Sequence, residues 1–520
     1  MSGRLLHATR RGSVALGHVL VYVLIWAGLV MLSAAGVIHY TWGRISFGQM
    51  LLNLKSVDPD GGGGSIVWTA ILAIGVAPVL LTLAIAFFQQ RRRHKRKHLA
   101  ARQAHRPSWT MRVIATFLVS AVVVGGTTAF VTTVGIADYI KAANSKYDVG
   151  NYYVEPTVTA ADSKRNLVLI YLESGEQTLA DDQLFEKDAF APLKEVTQEA
   201  DGWQSIEDFQ QYQGGGWTMA GLVSTQCGIP LKGTVFGAGD SAATDAKSVG
   251  SGDVDTYLGG VTCLGDILQD QGYTSTFMGG ARSSFAAKDT FLSGHGYSQV
   301  KGLDDWRAAD EPENSFRSDW GLSDERLMAN AKEEVDRLHA QSEETGQPFN
   351  LSVLTLDTHE PVHIYDYCTV DTENKVTSAF ACSMTQVAGF VEHMKAQGYL
   401  EDTAVVIMGD HLKHMSAGDA FHEQLDHHEN RTIFNRIWVP GGTATEPRSG
   451  VDQLSMLPTI LEAAGLTVQD RQAGLGVSAF APTVPEGSAQ AVERDVYAEL
   501  LESLSPNFYT DAWAAEALAR

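Results

Sequence analysis

The chain has 520 residues, of which 44% are hydrophobic and 19% are charged, and its formal net charge is −22. A chain of this composition can bury a large core, which excludes wholesale disorder, and its length predicts more than one structural unit. Residues 1–140 contain fourteen lysines and arginines against three acidic residues, whereas residues 141–520 contain 25 against 58. The acidic part lacks the basic footprint of nucleic-acid binding, so we expect no nucleic-acid partner.

Three stretches without a charged residue lie in the basic part, at residues 14–38, 66–88 and 113–137. About 20 apolar residues are enough to cross the hydrocarbon core of a membrane as a helix. We therefore predict a membrane domain over residues 1–137 with three transmembrane helices.

Lysine and arginine predict the orientation of these helices, because they accumulate in cytoplasmic loops. Basic residues lie before the first span and between the second and third: Arg4, Arg10, Arg11 and the run 91–98. The loop between the first and second spans has only Arg44 and Lys55. The N-terminus is thus predicted inside the cell, and everything after the third span on the extracytoplasmic side of the plasma membrane.

All four cysteines lie in this predicted external part: Cys227, Cys263, Cys368 and Cys382. An even number in an oxidising compartment predicts two disulfides, for which three pairings exist. We favour Cys368–Cys382 as a local loop and Cys227–Cys263 as the second bridge. Four buried thiols are the alternative.

The external part begins with a polar stretch at 138–165, which we interpret as a linker. Apolar runs then alternate with helical patterns. Strands are predicted at 166–172, 274–278, 351–356, 404–408 and 436–439, and helices at 218–226, 263–271, 324–341, 385–397 and 452–464. This alternation predicts an α/β domain with a doubly wound, mostly parallel sheet over 166–480. Residues 481–520 are predicted to form a C-terminal helical tail.

Polar side chains follow three of the predicted strands. Glu173 follows the first, His359 follows the third, and Asp410 and His411 follow the fourth. Ligands bind beyond the carboxyl ends of the strands in such sheets, and carboxylate oxygens with an imidazole suit Mn²⁺ or Zn²⁺. The Asp-His pair is therefore either part of a metal site or an ordinary helix cap.

A glycine-rich segment, 214–216, precedes Trp217 and Thr218, where a helix is predicted to begin. Glycines allow a ligand to approach the backbone closely, and a helix N-terminus offers N–H groups to an anion. Thr218 is either an N-cap or a nucleophile, since a bound divalent metal favours the alkoxide form of its hydroxyl. Trp217 either lines the substrate pocket or packs in the core.

These motifs occur together in one order. They are Glu173 after a buried strand and the segments 216–221, 224–231, 263–268, 285–291, 295–297 and 409–411. The ordered set resembles the phosphoglycerol transferases related to lipoteichoic acid synthase, in the sulfatase/alkaline-phosphatase superfamily. The resemblance covers roughly residues 160–480 and implies an alkaline-phosphatase/sulfatase-type fold.

The resemblance also implies roles for individual residues. Thr218 matches the nucleophile, and the other metal ligands are matched by Glu173, Asp410 and His411. His359 matches a substrate-binding histidine. Lys288 stands where the synthase has an arginine that contacts glycerol phosphate, and the nearby tryptophan is replaced here by Ala286. Mn²⁺ is the expected cation, with Zn²⁺ or Mg²⁺ as alternatives.

The function that the resemblance implies is the transfer of phosphoglycerol from phosphatidylglycerol to an extracytoplasmic glycan or glycolipid, such as an envelope glycan or lipoglycan. The group would pass through a metal-activated threonine and a covalent glycerophosphoryl-enzyme intermediate, with release of diacylglycerol. The alternatives are a phosphoethanolamine transferase of the same superfamily and a non-catalytic, membrane-tethered glycan-binding protein. Sulfatase activity is disfavoured, because the chain lacks the C/S-x-P-x-R motif at Cys227.

Overall fold

A computed structural model describes residues 2–42, 68–99, 109–160, 163–233, 256–317, 320–416, 419–442 and 445–514. The chain divides into two compact units, one made chiefly of the N-terminal helices and one that contains the sheet. Each unit is described by itself below.

The N-terminal unit contains three long helices, α1 (Ser2–Trp42), α2 (Ala77–Leu99, preceded by the π-helical turn Ile71–Val76) and α3 (Trp109–Thr133). Three stretches are long and apolar enough to cross a membrane: Leu16–Thr41, Trp68–Arg92 and Val113–Thr133. The prediction of three apolar N-terminal helices is therefore confirmed. Residues 66 and 67 of the second predicted span lie outside the described residues.

Helices α1 and α3 approach each other through glycines. A Cβ atom built on Gly126 would lie 2.2 Å from the carbonyl oxygen of Gly28, so neither helix has room for a side chain there. One turn along, Thr127 Oγ1 donates a hydrogen bond to Met31 Sδ at 3.4 Å. Small residues at a crossing are typical of helix pairs in membranes, where close backbone contact supplies the packing energy.

The second unit is built on a six-stranded sheet. Ten strands lie in the described residues of this unit: β1 (Val158–Ala160), β2 (Asn166–Leu172), β3 (Thr274–Gly279), β4 (Tyr297–Lys301), β5 (Phe349–Leu354), β6 (Thr403–Gly409), β7 (Asn435–Trp438), β8 (Thr467–Val468), β9 (Gln472–Ala473) and β10 (Gly476–Val477). The order in the large sheet is β4-β3-β5-β2-β6-β7, parallel except for β7, which runs antiparallel to β6. The doubly wound, mostly parallel sheet is confirmed, and β4 is a strand that the sequence did not predict.

The central strand β2 explains the two-sided core. All seven of its residues are buried. Leu167, Leu169 and Tyr171 pack into the hydrophobic cluster on one face, whereas Val168, Ile170 and Leu172 pack into the cluster on the other. A strand covered on both faces has no polar side, which is why it appears in the sequence as an unbroken apolar run.

Helices cover both faces of this sheet. The helices described after α3 are, in chain order, α4 (Ile136–Ala143), α5 (Asp182–Phe185), α6 (Ala191–Val196), α7 (Thr218–Cys227), α8 (Leu264–Asp270), α9 (Lys288–Gly294), α10 (Leu303–Ala308), α11 (Asp324–Thr345), α12 (Lys375–Gln397), α13 (His422–Leu425), α14 (Met456–Ala463), α15 (Arg494–Glu502) and α16 (Pro506–Ala512). Helix α12 begins ten residues before the predicted start at 385. Asn374 is its N-cap and accepts a hydrogen bond from the backbone N–H of Val376.

Two disulfides join the cysteines as expected, Cys227–Cys263 and Cys368–Cys382. The first links the last residue of α7 to the residue that precedes α8. The second closes a loop onto the first half of α12. The alternative of four buried thiols is therefore wrong in this structure.

The segments on either side of the predicted domain 166–480 pack against it. Strand β1, in the predicted linker, pairs with β8. Leu500, Leu501 and Tyr509 from α15 and α16 are buried in the same cluster as one face of β2. The hydroxyl of Tyr509 donates a hydrogen bond of 2.6 Å to the carbonyl of Pro230. Both segments therefore contribute to the folded unit.

Candidate functional site

The candidate site lies at the carboxyl ends of three neighbouring strands, β5, β2 and β6. Glu173 is the first residue after β2, and Asp410 and His411 follow β6 directly. Parallel strands end at the same edge of a sheet, so residues far apart in sequence meet there. Glu173, Asp410 and His411 are all buried.

These three residues form a compact donor group. One ligand atom from each lies within 4.8 Å of the others. His411 Nε2 is 3.5 Å from Glu173 Oε1 and 3.6 Å from Asp410 Oδ2. Thr218 Oγ1 donates a hydrogen bond of 3.3 Å to Glu173 Oε2. The structure thus brings together all four residues that the sequence proposed as ligands.

Backbone groups orient these donors. Asp410 Oδ1 accepts hydrogen bonds from the N–H groups of Ser174 and His411, at 2.9 and 2.8 Å, whereas its Oδ2 is buried without a hydrogen bond to any described residue. His411 Nδ1 donates to the carbonyl of Leu412 at 2.7 Å, which leaves the Nε2 lone pair toward the carboxylates. A fixed tautomer and an unpartnered carboxylate oxygen are what a metal ligand requires.

The electrostatics of the group also favour a cation. Burial raises the pKa of Asp410 to about 7, and the charge of Glu173 adds to that shift. Burial opposes ionisation of Glu173 as well, but His359, His411 and the hydroxyl of Ser174 outweigh it and lower its pKa. Two buried carboxylates beside one imidazole and one hydroxyl thus carry excess negative charge. This donor set fits a divalent metal ion such as Mn²⁺ or Zn²⁺.

Thr218 reaches the group from helix α7. The helix begins at Thr218 itself, and its N-cap is Trp217, in extended conformation and without a side-chain cap bond. The interpretation of Thr218 as an N-cap is therefore wrong. One turn along, a Cβ atom on Gly221 would lie 2.1 Å from the carbonyl oxygen of Asp410. Only glycine permits this contact, which holds the start of α7 against the end of β6.

The chain is similar to several known proteins. The family profile described as Sulfatase matches residues 243–466. Phosphoglycerol transferase I of Escherichia coli O139:H28 and that of Shigella boydii serotype 18 are each 34% identical over 274 residues, which cover 51% of this chain. The lipoteichoic acid synthase LtaP from Listeria monocytogenes superposes with a TM-score of 0.50 at 15% identity, over 69% of this chain and 95% of its own. The sheet domain has the alkaline phosphatase/sulfatase fold. The chain spans about a third of the length of the curated relatives that it matches.

Lys288 lies in the sulfatase-type domain as the first residue of α9. It is only 4% exposed, and its ammonium lies 5.8 Å from the centre of the Phe277 ring without a hydrogen bond or ion pair to any described residue. Burial lowers its pKa to about 8, against the opposing charges of Glu173, Asp289 and Asp410. Such an unpaired buried cation is suited to bind an anionic group.

The backbone before Lys288 is strained. Ala286 and Ala287 both have left-handed conformations, with φ of 56° and 57°. Residues with a Cβ atom rarely adopt this conformation, and it costs of order 1 kcal/mol or more for each. The turn delivers Lys288 to the start of its helix. Such strain is common where a side chain must be held in a set position.

His359 follows β5 by five residues and is half-buried. Its Nδ1 donates to the carbonyl of Glu360 at 2.7 Å, and its ring packs on Trp320 with centroids 4.1 Å apart. Burial lowers its pKa, although the charge of Glu173 opposes the shift. Trp217 is half-buried and packs against the hydrophobic cluster, consistent with the core alternative for this residue.

The sequence did not indicate the buried charges beside the site. The ammonium of Lys413 is fully buried and contacts Glu360 at 2.6 Å and Asp419 at 2.8 Å. The backbone N–H of Lys413 donates to Glu176, whose carboxylate also pairs with Arg431. These contacts join the loop after β6 to the loop that carries His359. Lys413 lies two residues after the motif at 409–411, but nothing in its local sequence distinguishes it from a surface lysine.

A second acid–histidine group lies elsewhere in the same unit, formed by Cys263, Asp266 and His295. Cys263 is in a disulfide, so its sulfur is not a thiolate ligand. His295 bonds Asp266 through Nδ1 at 2.6 Å and the carbonyl of Tyr257 through Nε2 at 2.9 Å. Asp266 also accepts the backbone N–H of Cys263, which caps α8. The donors of this group are engaged within the protein.

Proposed function

We propose that this protein transfers phosphoglycerol from phosphatidylglycerol to a hydroxyl of an extracytoplasmic glycan or glycolipid and releases diacylglycerol. The observation that carries the proposal is the placement of the Thr218 hydroxyl, at the start of a helix, on a buried carboxylate–imidazole group. The similarity to proteins named phosphoglycerol transferase I supports the choice of the transferred group.

Glu173, Thr218, Asp410 and His411 would hold the divalent cation, for which Mn²⁺ is our first choice. When bound, such a cation favours the ionised form of the threonine hydroxyl and offsets negative charge on the phosphate. The backbone of this chain fixes the ligands, through the N–H groups on Asp410 and the carbonyl on His411.

The transfer takes place in two steps. First, Thr218 Oγ1 attacks the phosphorus atom, and the bond between phosphorus and the diacylglycerol oxygen breaks. Thr218 loses its hydroxyl proton and the departing oxygen gains one, so that a glycerophosphoryl-threonine and free diacylglycerol result. An acceptor hydroxyl then attacks the same phosphorus, and Thr218 is released with its proton restored. The covalent step allows the lipid product to leave before the acceptor arrives.

Three further residues would bind the lipid headgroup. Lys288 offers a buried ammonium to the phosphate, and His359 offers Nε2, because its Nδ1 is bonded to Glu360. Trp217 precedes the nucleophile and would border the glycerol moiety. The N-terminus of α7 adds backbone N–H groups and the positive end of the helix dipole, which favour an anion.

The donor is a membrane lipid, and three apolar helices keep the catalytic unit at a membrane. The basic loop after the second helix supports an inside N-terminus and an outside catalytic unit. Single-cysteine reporters tested with an impermeant thiol reagent in intact cells should react after residue 145 and not within 90–112. The reverse pattern would contradict the proposed orientation.

The central experiment uses phosphatidylglycerol labelled in its headgroup. Purified protein with Mn²⁺ should release diacylglycerol, and brief reaction without acceptor should leave a glycerophosphoryl adduct on the peptide that contains Thr218. Thr218→Ala should abolish both, whereas Thr345→Ala, an exposed threonine, should change neither. An adduct on another residue would refute the mechanism, and transfer of ethanolamine phosphate from phosphatidylethanolamine instead would refute the choice of headgroup.

A further inference from the structure

His414 lies beside the proposed metal ligands but has no role in the steps above. It follows His411 by three residues, and the two ring centroids are 5.0 Å apart. The side chain is half-buried and packs against the His411 ring, and His411 Nε2 lies 3.5 Å from Glu173 Oε1. The residue therefore borders the same space as the nucleophile's carboxylate partner.

The hydrogen bonding of His414 differs from that of the other two histidines of the site. His411 and His359 each use Nδ1 to donate to a backbone carbonyl. Neither ring nitrogen of His414 forms a hydrogen bond within the part of the chain that the structure describes. A half-buried imidazole with both nitrogens unengaged retains its full capacity to bind a ligand.

The neighbouring residue holds His414 in place. Lys413 is anchored at its backbone N–H by Glu176 and at its ammonium by Glu360 and Asp419. A surface loop would let the ring of the following residue move away into solvent. Here the main chain is fixed one residue before His414, so the ring is held beside His411.

The chemistry of the ring indicates what it binds. Both ring nitrogens of His414 are available to a ligand, and the ring lies 5.0 Å from that of His411. A neutral imidazole has one donor and one acceptor nitrogen, which matches an alcohol, since a hydroxyl group also donates and accepts. The negatively charged phosphate would instead bind the ammonium of Lys288.

We propose that His414 binds an alcohol hydroxyl in the transfer site, either a hydroxyl of the glycerol headgroup or the hydroxyl of the acceptor. The proposal rests on the proposed function. It adds a specificity-determining residue, because a hydroxyl-binding group selects against headgroups or acceptors that lack the hydroxyl. A site that must bind a hydroxyl discriminates more strongly than an apolar pocket, since its polar group is otherwise left unpaired.

The test compares His414→Ala with His414→Gln in the full-length protein with Mn²⁺. The amide of glutamine keeps one donor and one acceptor, so Gln should retain activity within about twofold, whereas Ala should lose about five- to tenfold, as for one hydrogen bond. His427→Ala is the matched control, because that histidine side chain is 91% exposed. Metal content is measured for every variant.

Two arms separate the sources of the hydroxyl. Diacylglycerol release without acceptor is measured from vesicles of phosphatidylglycerol and of phosphatidylethanol, whose headgroup has no hydroxyl. If His414 binds the glycerol headgroup, His414→Ala raises KM for phosphatidylglycerol and leaves phosphatidylethanol unchanged. If it binds the acceptor, release is unchanged and KM for glycerol or a short oligosaccharide as acceptor rises.

The outcomes that overturn the proposal are distinct from those that overturn the function. An equal loss with phosphatidylglycerol and phosphatidylethanol, a loss of metal in His414→Ala, failure of Gln to retain activity, or no change in either arm rejects the hydroxyl-binding role while the transferase activity stands. Absence of diacylglycerol release from the unmodified protein rejects the proposed function and, with it, the role of His414.

Discussion

Two groups of acidic and histidine side chains in the sheet domain have nearly the same composition and compactness, yet among the described residues only one keeps donor atoms available for a metal. In the group at Glu173, Asp410 and His411, a carboxylate oxygen and an imidazole nitrogen receive no hydrogen bond from the described residues. In the group at Asp266 and His295, both ring nitrogens are bonded and the cysteine is in a disulfide.

The difference shows that residue type and spacing do not by themselves define a metal site. The deciding property is the bonding capacity that remains after the fold has satisfied its own polar groups. Burial has the same consequence in both groups, because a buried polar atom without a partner is costly. The second group meets that cost with hydrogen bonds inside the protein, whereas the first leaves donor atoms that the proposed cation would engage.

The strongest way to break this comparison is to neutralise one aspartate in each group. Asp410→Asn should lose bound Mn²⁺ and reduce diacylglycerol release by roughly a thousandfold or more, because a ligand and its charge are removed. Asp266→Asn should keep both properties and lose only about 1 kcal/mol of unfolding free energy, the usual contribution of a helix cap. Metal analysis and thermal unfolding of the two variants provide the measurement, and loss of metal in Asp266→Asn would overturn the distinction.

The disulfide tests the structural role of the second group. Replacing Cys227 and Cys263 by serine opens a loop with a sequence separation of 36 and should cost about 4 kcal/mol of unfolding free energy in the chain-entropy model. The same change at Cys368 and Cys382, separated by 14, should cost about 3 kcal/mol. Peptide mapping without reductant should recover both pairs, and denaturation of the two double variants should rank them in this order. Free thiols in protein from its native compartment would contradict the pairing.

The hydrogen bond that orients Glu173 provides a further test of the first group, with a smaller expected effect. Ser174 Oγ donates to Glu173 Oε1 at 2.9 Å. Ser174→Ala should weaken metal binding by about 10- to 100-fold, the usual effect of removing a group that orients a ligand. Ser298→Ala removes a hydroxyl bonded to the carbonyl of Ser275 in the edge strand pair and should leave metal affinity unchanged. Titration with Mn²⁺ distinguishes the two, and equal affinities would show that Glu173 needs no such support.

The smallest expected effect is a pH dependence of lipid binding. Burial lowers the pKa of Lys288 to about 8, so its charge is present below that pH and lost above it. The KM for phosphatidylglycerol should therefore rise by about tenfold between pH 7 and pH 9.5, as for a lost bond to a charged group. Lys288→Arg keeps the charge and should flatten the rise, whereas Lys395→Gln, at an exposed ion pair, should not change it. A profile in Lys288→Arg that matches the unmodified protein would contradict the role of Lys288.

The strands that are buried along their whole length could be predicted from the sequence. Strands β2 and β6 are buried along their whole length and appear as apolar runs. The edge strand β4 escaped prediction because only its first residue is buried and the others are half-buried or exposed. Without an apolar run, a short edge strand resembles a loop.

Glu173, Asp410 and His411 could be predicted because they directly follow recognisable strands, and Thr218 because it follows a glycine-rich segment at a predicted helix start. The contacts around Lys413 could not, since Glu360, Asp419 and Glu176 come from separate segments that only the fold brings together. A lysine is normally exposed, and nothing in the sequence around Lys413 indicated that it is buried. The sequence also could not predict that the ring nitrogens of His414 are unengaged, because the partners of a side chain depend on the folded structure.

The close approach of Gly221 to Asp410 has a consequence for how this protein can vary. Every amino acid other than glycine carries a Cβ atom. At position 221 that atom would lie 2.1 Å from the carbonyl oxygen of Asp410. No substitution of Gly221 therefore avoids this close contact. Genetic drift at this position therefore has no small step available, and the spacing between the start of α7 and the end of β6 depends on the missing side chain of Gly221.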